Sequence, residues 1–140
     1  MERFSVPAHI LGTFFGAATF ALIFAGPIRL VMNRRMAKVT FASVFAAVAV
    51  AIFVEYWIAA GGGGLIYTYV HGASANLMVA ALLVLAMSGW TFLVGSWLLG
   101  WMLGAPSETR FEHGAIANAV MLLCNGALVA LAFGLDRVLR

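Results

Sequence analysis

The stretch LIYTYVHGASANLMVAALLVLAMSGWTFLVGSWLLGWMLGA, residues 65–105, contains no Asp, Glu, Lys or Arg. Read as one helix over about residues 73–104 it is roughly 48 Å long, well beyond a hydrocarbon core of about 30 Å. Read as a hairpin turning at Ser88 and Gly89 it gives two helices of about 16 residues, each short of the roughly 20 that a span needs. The choice decides whether the chain crosses a membrane four times or five.

That a membrane is the solvent follows from composition. Of 140 residues, 64% are hydrophobic and 9% charged, against about 25% charged in an ordinary soluble domain. So few ionised groups cannot cover a water-soluble fold of this size, and one polytopic transmembrane domain over residues 1–140 is expected. The formal charge of +3 does not imply a nucleic-acid partner, because the basic residues form no extended patch. Arg29, Arg34, Arg35 and Lys38 instead follow the first apolar run, as the positive-inside bias places them.

The remaining segments extend outward from the uncharged stretch. An apolar run over about residues 6–32, interrupted by Pro27, ends at the basic NRRMAK. Because the basic cluster follows the run, it reads as a retained anchor with its N-terminus outside and the 33–38 loop cytoplasmic, not as a cleaved leader. A second run, about 39–60, stops at GGGG, Gly61 to Gly64. Four successive glycines lose much backbone entropy in a helix, so they are expected to form a loop at the opposite face. The last run covers about 114–135.

Trp97 and Trp101, one helical turn apart, suit an interfacial belt some 20 residues after Asn76. This favours a long, tilted third helix over 73–104 and a compact bundle of four transmembrane helices. Basic residues favour five: Arg137 and Arg140 then join the first cluster, leaving only Arg3 and Arg110 outside. Four spans is the adopted reading, five with a hairpin at 65–105 the alternative.

Membrane helices associate through close packing, and small residues four apart let backbones approach. Gly12 and Gly16, then Ser96, Gly100 and Gly104, then Gly126, Ala130 and Gly134 form such stripes on three helices. They suit either a tight bundle or an interface with another subunit. Asn118 and Asn125, two turns apart, share one helix face, and amides in lipid require partners. Together with Glu55 and Asn76 they form the expected polar interior. Cys124 stands alone in an apolar run and reads as a small buried hydrophobe.

Glu55, in AIFVEYWIAA, is the only carboxylate well inside an apolar run. An intramembrane carboxylate ordinarily faces a cavity or a polar partner, which makes it the best single functional candidate. Its position two turns before GGGG and beside Tyr56 and Trp57 equally suits interfacial snorkelling. His9, Glu55 and His71 all approach the outer face, where imidazole and carboxylate would suit a divalent metal. His9 and His71 would alternatively ligate a haem as axial pair, and with five spans His113 joins them on the outer face, where a three-histidine metal site becomes possible. None of these has the spacing of an established metal motif. The chain also lacks a phosphate loop and a nucleophile elbow, so the reading is against an enzyme.

One pattern cuts across these segments. HGASAN, His71 to Asn76, and HGAIAN, His113 to Asn118, agree at five of six positions. Gly and Ala matches are cheap in this composition, so the repeat rests on His and Asn. It is expected to mark two helix starts with a similar local form.

Three functions remain. The first is a non-catalytic subunit packing within a larger membrane complex, with lipid, other subunits or copies of itself as partners; for all three the expected location is a bacterial inner membrane. The second is a small oligomeric proton, cation or solute transporter using Glu55. The third is a haem- or metal-binding redox subunit using His9 and His71.

Overall fold

The computed structural model describes residues 6–36, 38–72 and 76–139. Among them are four helices long and apolar enough to cross a membrane: α1 (Val6–Met32), α2 (Phe41–Val70), α3 (Leu77–Met102) and α4 (Arg110–Leu139). The chain is therefore an integral membrane four-helix bundle, with α1 and α3 each packed between α2 and α4. The α1–α4 contact is the least extensive of the four. Arg3 and Arg140, used in the charge count above, lie outside the described residues.

The uncharged stretch forms part of α2, a short loop and one span. Ser88 and Gly89 lie within continuous helix, and α3 occupies 26 residues, about 39 Å at the helical rise. The excess over the expected 73–104 helix shrinks because α3 starts only after the Asn76 cap and stops before Leu103, and the remaining length is accommodated by tilt. GGGG is not a loop: α2 runs through Gly61 to Gly64 and ends at Val70. In hydrocarbon an unpaired backbone group costs more than the glycine entropy lost in a helix, so the helix persists. Gly62 is buried where a Cβ would meet the Met87 side chain. His71 caps the helix, and its Nδ1 donates to Tyr67 O at 2.9 Å.

The two turns at the basic end are each fixed by polar contacts. In the first, Asn33 Oδ1 accepts from Val39 N at 2.8 Å and Arg29 Nε donates to Val39 O at 3.2 Å. Thr40 then caps α2 by accepting from Ser43 N. In the second, α3 stops in a Schellman arrangement: Gly104 N donates to Trp101 O and Ala105 N to Gly100 O. Gly104 has φ +73°, which a glycine adopts without Cβ strain. Gly104, expected as a packing position, instead serves as a helix stop.

Packing is uneven along the bundle axis. Near the basic end, Ile28 and Met32 of α1, Val44 and Val48 of α2, and Leu99 of α3 are fully buried, with Ala117 and Met121 of α4 beside them. There α3 and α4 approach closely enough that a Cβ on Gly100 would overlap Arg110 O and one on Gly114 would overlap Ser96 O. Small residues at these positions allow backbone contact, as membrane packing requires. Beyond Met121 no described residue of α4 is buried.

Of the three expected stripes, Ser96 and Gly100 pack within the chain. Gly12, Gly16, Gly126 and Gly134 have no atom within 4 Å of an added Cβ, and Ala130 is exposed. α1 and the far half of α4 turn these positions away from their neighbours, so they do not close this bundle.

Candidate functional site

Glu55 stands fourteen residues after Phe41 and fifteen before Val70, the midpoint of α2. Either helix end is therefore about 21 Å away along the axis, far beyond the reach of a glutamate side chain. Extension of α2 through GGGG removes the snorkelling explanation, which required a helix end two turns away. A carboxylate at this depth needs a protein partner or a cavity.

It has both. Asn118 Nδ2, on α4, donates to Glu55 Oε1 at 3.0 Å, spanning the diagonal of the bundle between helices whose backbones do not meet. The same nitrogen lies 3.3 Å from Phe92 O and 3.3 Å from Ser96 Oγ on α3. Phe92 O is only an acceptor, so the amide must turn its nitrogen this way. Two N–H bonds are shared among three acceptors, while buried Asn118 Oδ1 has no donor. With the Ser96 hydroxyl's own proton the centre holds three hydrogens for four acceptor atoms, Glu55 Oε1, Asn118 Oδ1, Phe92 O and Ser96 Oγ. Among the described residues no Lys or Arg forms an ion pair with Glu55.

Gly95 explains how the carboxylate fits between helices. A Cβ at that position would overlap Glu55 Oε1 and come within 3.0 Å of Asn118 Nδ2. Glycine at 95 and Ser96 beside it give α3 a notch, into which one side chain enters from α2 and one from α4. The amide and the carboxylate were each legible as polar residues in apolar runs. Gly95 lies outside the Ser96, Gly100, Gly104 series and gave no separate signal.

Two adjoining clefts meet at Glu55. The first, about 480 Å³, runs along α2 and α3 toward the 71–76 loop, past Ala59, Gly63, Ile66, Val84 and Met87. The second, about 360 Å³, lies against α1 at Phe20 and Phe24 and includes Asn125. Glu55, Ala59, Thr91 and Leu122 line both. Apart from the carboxylate, amides and hydroxyls of Glu55, Asn118, Asn125, Ser88, Thr91 and Tyr56, the walls are hydrocarbon. Toward the basic end the floor is closed by the buried core.

The other expected site residues are dispersed. Asn76 is exposed and caps α3, its Oδ1 accepting from Met78 N at 2.9 Å, so it belongs to a helix start and not to the polar interior. Asn125 is exposed at the second cleft. His9 Nε2 lies 3.3 Å from Tyr56 Oη, with its ring edge-on to Trp57. His71 follows the end of α2, fifteen residues beyond Tyr56, which is about 22 Å along the helix. His113 is near the basic end, its Nδ1 donating to Thr109 O at 2.8 Å.

The three histidines thus occupy three levels. Among the described residues no three His, Cys, Asp or Glu side chains gather as a metal site. Cys124 is half-buried and unbonded to sulfur.

The two hexapeptides also diverge. His71 and Asn76 frame an interhelical loop, of which residues 73–75 lie outside the described residues, whereas His113 and Asn118 belong to one continuous helix. Asn118 is buried in the core and Asn76 is exposed. They share letters but no structural role, and they lie at opposite ends of the bundle. No family model, curated protein or solved structure matches this chain.

Proposed function

We propose that this chain binds a small cation at Glu55, as part of a small membrane transporter, with access from the end of the bundle opposite the basic loops. The observation that carries the reading is the mid-membrane carboxylate held by Asn118 at the junction of two clefts. Its surroundings define the ligand chemistry. Acceptors outnumber donors, so the complement is a proton or a hydrogen-bearing cation. Few oxygens converge there, which disfavours hard metal ions that take six or more oxygen ligands. Hydrocarbon walls favour an organic ammonium with an apolar body. The closed floor describes one-sided access, and transport then requires the packed half to open.

The test is binding of monodansylcadaverine, a fluorescent primary amine, to the purified chain, followed by its uptake and proton flux in liposomes. Glu55→Gln removes the charge with little change of shape and is expected to weaken binding about tenfold or more, the usual scale for a charge-assisted hydrogen bond. Gly95→Ala is a second probe, because its methyl displaces the carboxylate from the far end of a flexible side chain. Equal affinity in wild type and Glu55→Gln would sink the proposal.

A second reading, a non-catalytic subunit of a larger assembly, is favoured by Gly126, Ala130 and Gly134 on the unpacked half of α4. Such a stripe admits a neighbouring helix from another chain. It is compatible with the first reading if the neighbour is a second copy. Mass measurement in mild detergent separates monomer, homo-oligomer and hetero-complex.

Orientation in a bacterial inner membrane, with the 33–38 loop cytoplasmic, is part of the proposal. It is supported by Arg29, Arg34, Arg35, Lys38 and Arg110 at one end, five of the eight Lys and Arg residues.

A further inference from the structure

The basic end holds a cavity of about 710 Å³ between the 33–40 and 103–109 turns. Arg35, Lys38, Thr40, Ser43, Thr109 and His113 contribute its polar lining, and no Asp or Glu does. Three separate lines of chemistry converge there.

The first is formal charge. Lys38 is exposed and has no ion pair among the described residues. Arg35 is paired only loosely with Glu112, at 3.8 Å, with both side chains more than half exposed. A pair so open to solvent contributes little and exchanges readily for another anion.

The second is backbone polarity. α2 begins immediately after Thr40 and α4 immediately after Thr109, so the positive ends of two helices meet at one cavity. The third is rigidity. The Asn33 and Arg29 contacts to Val39 fix one wall, and the Schellman turn at Gly104 fixes the other. His113 is likewise oriented, because its Nδ1 donates to Thr109 O.

We infer that this cavity binds a phosphate group through Arg35, Lys38 and the adjoining starts of α2 and α4. The group belongs either to an anionic lipid headgroup or to free phosphate. A basic pocket between membrane helices has the chemistry of a headgroup site. Met36, Val39, Leu103 and Pro106 in the same lining would accept a lipid's glycerol region. This inference is independent of Glu55, which lies at the midpoint of α2, about 21 Å along the helix from this end.

The test measures saturable binding to the full chain in detergent, by native mass spectrometry and by thermal unfolding. Three probes are compared: dioleoyl phosphatidylglycerol, dioleoyl phosphatidylcholine and inorganic phosphate. Phosphatidylglycerol is expected to bind and phosphatidylcholine, which is neutral overall, to bind far more weakly. Binding of inorganic phosphate that displaces phosphatidylglycerol identifies free phosphate as a sufficient ligand; phosphatidylglycerol binding unaffected by phosphate identifies the headgroup.

Each removed cation is expected to weaken binding about 5-fold, so Lys38→Gln loses about 5-fold and Arg35→Gln with Lys38→Gln about 30-fold. Arg34→Gln is the control, since Arg34 is exposed and does not line the cavity. Lys38→Gln alone keeps the test valid if the double variant fails to fold. Lack of saturable binding by either anion overturns the site. So does an equal loss in Arg34→Gln and Lys38→Gln, which would mean diffuse surface attraction.

Discussion

The two ends of this bundle are built from the same residue types but packed in opposite ways. Near the basic loops, glycines and alanines bring backbones into contact around Ile28, Met32, Val44, Val48 and Leu99. Toward the 71–76 loop most described residues of α2, α3 and α4 are exposed, and only Gly62 and Ala80 among them are buried. The difference teaches that glycine in a membrane helix has no fixed meaning. Gly100 and Gly114 are contact points, Gly104 is a helix stop, Gly95 is a recess for a carboxylate, and Gly61, Gly63 and Gly64 are open helix surface. The polar centre of Glu55 and Asn118 sits where the packed half gives way to the open one.

Breaking the packed half is expected to give the largest effect. Gly100→Ala and Gly114→Ala each place a methyl on a neighbouring backbone carbonyl, which cannot rotate away. A loss of about 3 kcal/mol is expected for each, at the upper range of overpacking costs. Gly126→Ala and Gly134→Ala in the open half should stay within about 0.5 kcal/mol of wild type. Denaturant unfolding in detergent measures all four, and similar losses in both halves would erase the distinction.

A smaller effect sharpens the boundary between the halves. Asn118→Leu removes an amide serving three acceptors and is expected to cost about 1–2 kcal/mol, since interhelical hydrogen bonds in membranes are individually modest. Asn125→Leu, at an exposed position, should cost almost nothing. A larger loss at Asn125 than at Asn118 would place the polar centre elsewhere.

The smallest effect concerns GGGG. Replacing Gly61, Gly63 and Gly64 together by Ala should leave stability unchanged or raise it by about 0.5 kcal/mol per site, because helical glycine is entropically costly and no neighbour obstructs the methyl. A marked fall would mean that these residues need the positive φ of a turn, and that α2 ends where the expected loop would have put it.

GGGG also shows why the fold was only partly readable in advance. Boundaries of the first helix, Val6–Met32, agree with the apolar run because NRRMAK ends it chemically. α2 overran its expected end by ten residues, since the rule that glycine breaks helices comes from water and water is absent from the membrane interior. That single shift moved Glu55 from the end of a helix to its middle and separated His71 from His9. Asn118 was legible as a polar residue needing a partner, but its partner was not: Glu55 is 63 positions earlier, on the diagonally opposite helix.

The sequence by itself determined the solvent, the basic end and the few polar residues whose burial in lipid must be compensated, while four spans over five rested on the spacing of Trp97 and Trp101. These are properties of composition and of runs along one chain, and transfer free energy acts on each segment separately. Only the tertiary structure decided which glycines touch a neighbour, that Gly95 makes room for Glu55, and that the two hexapeptides lie at opposite ends. Those outcomes depend on helix rotation and register between segments, which short-range pattern leaves open because lipid and neighbouring helices are equally apolar surroundings.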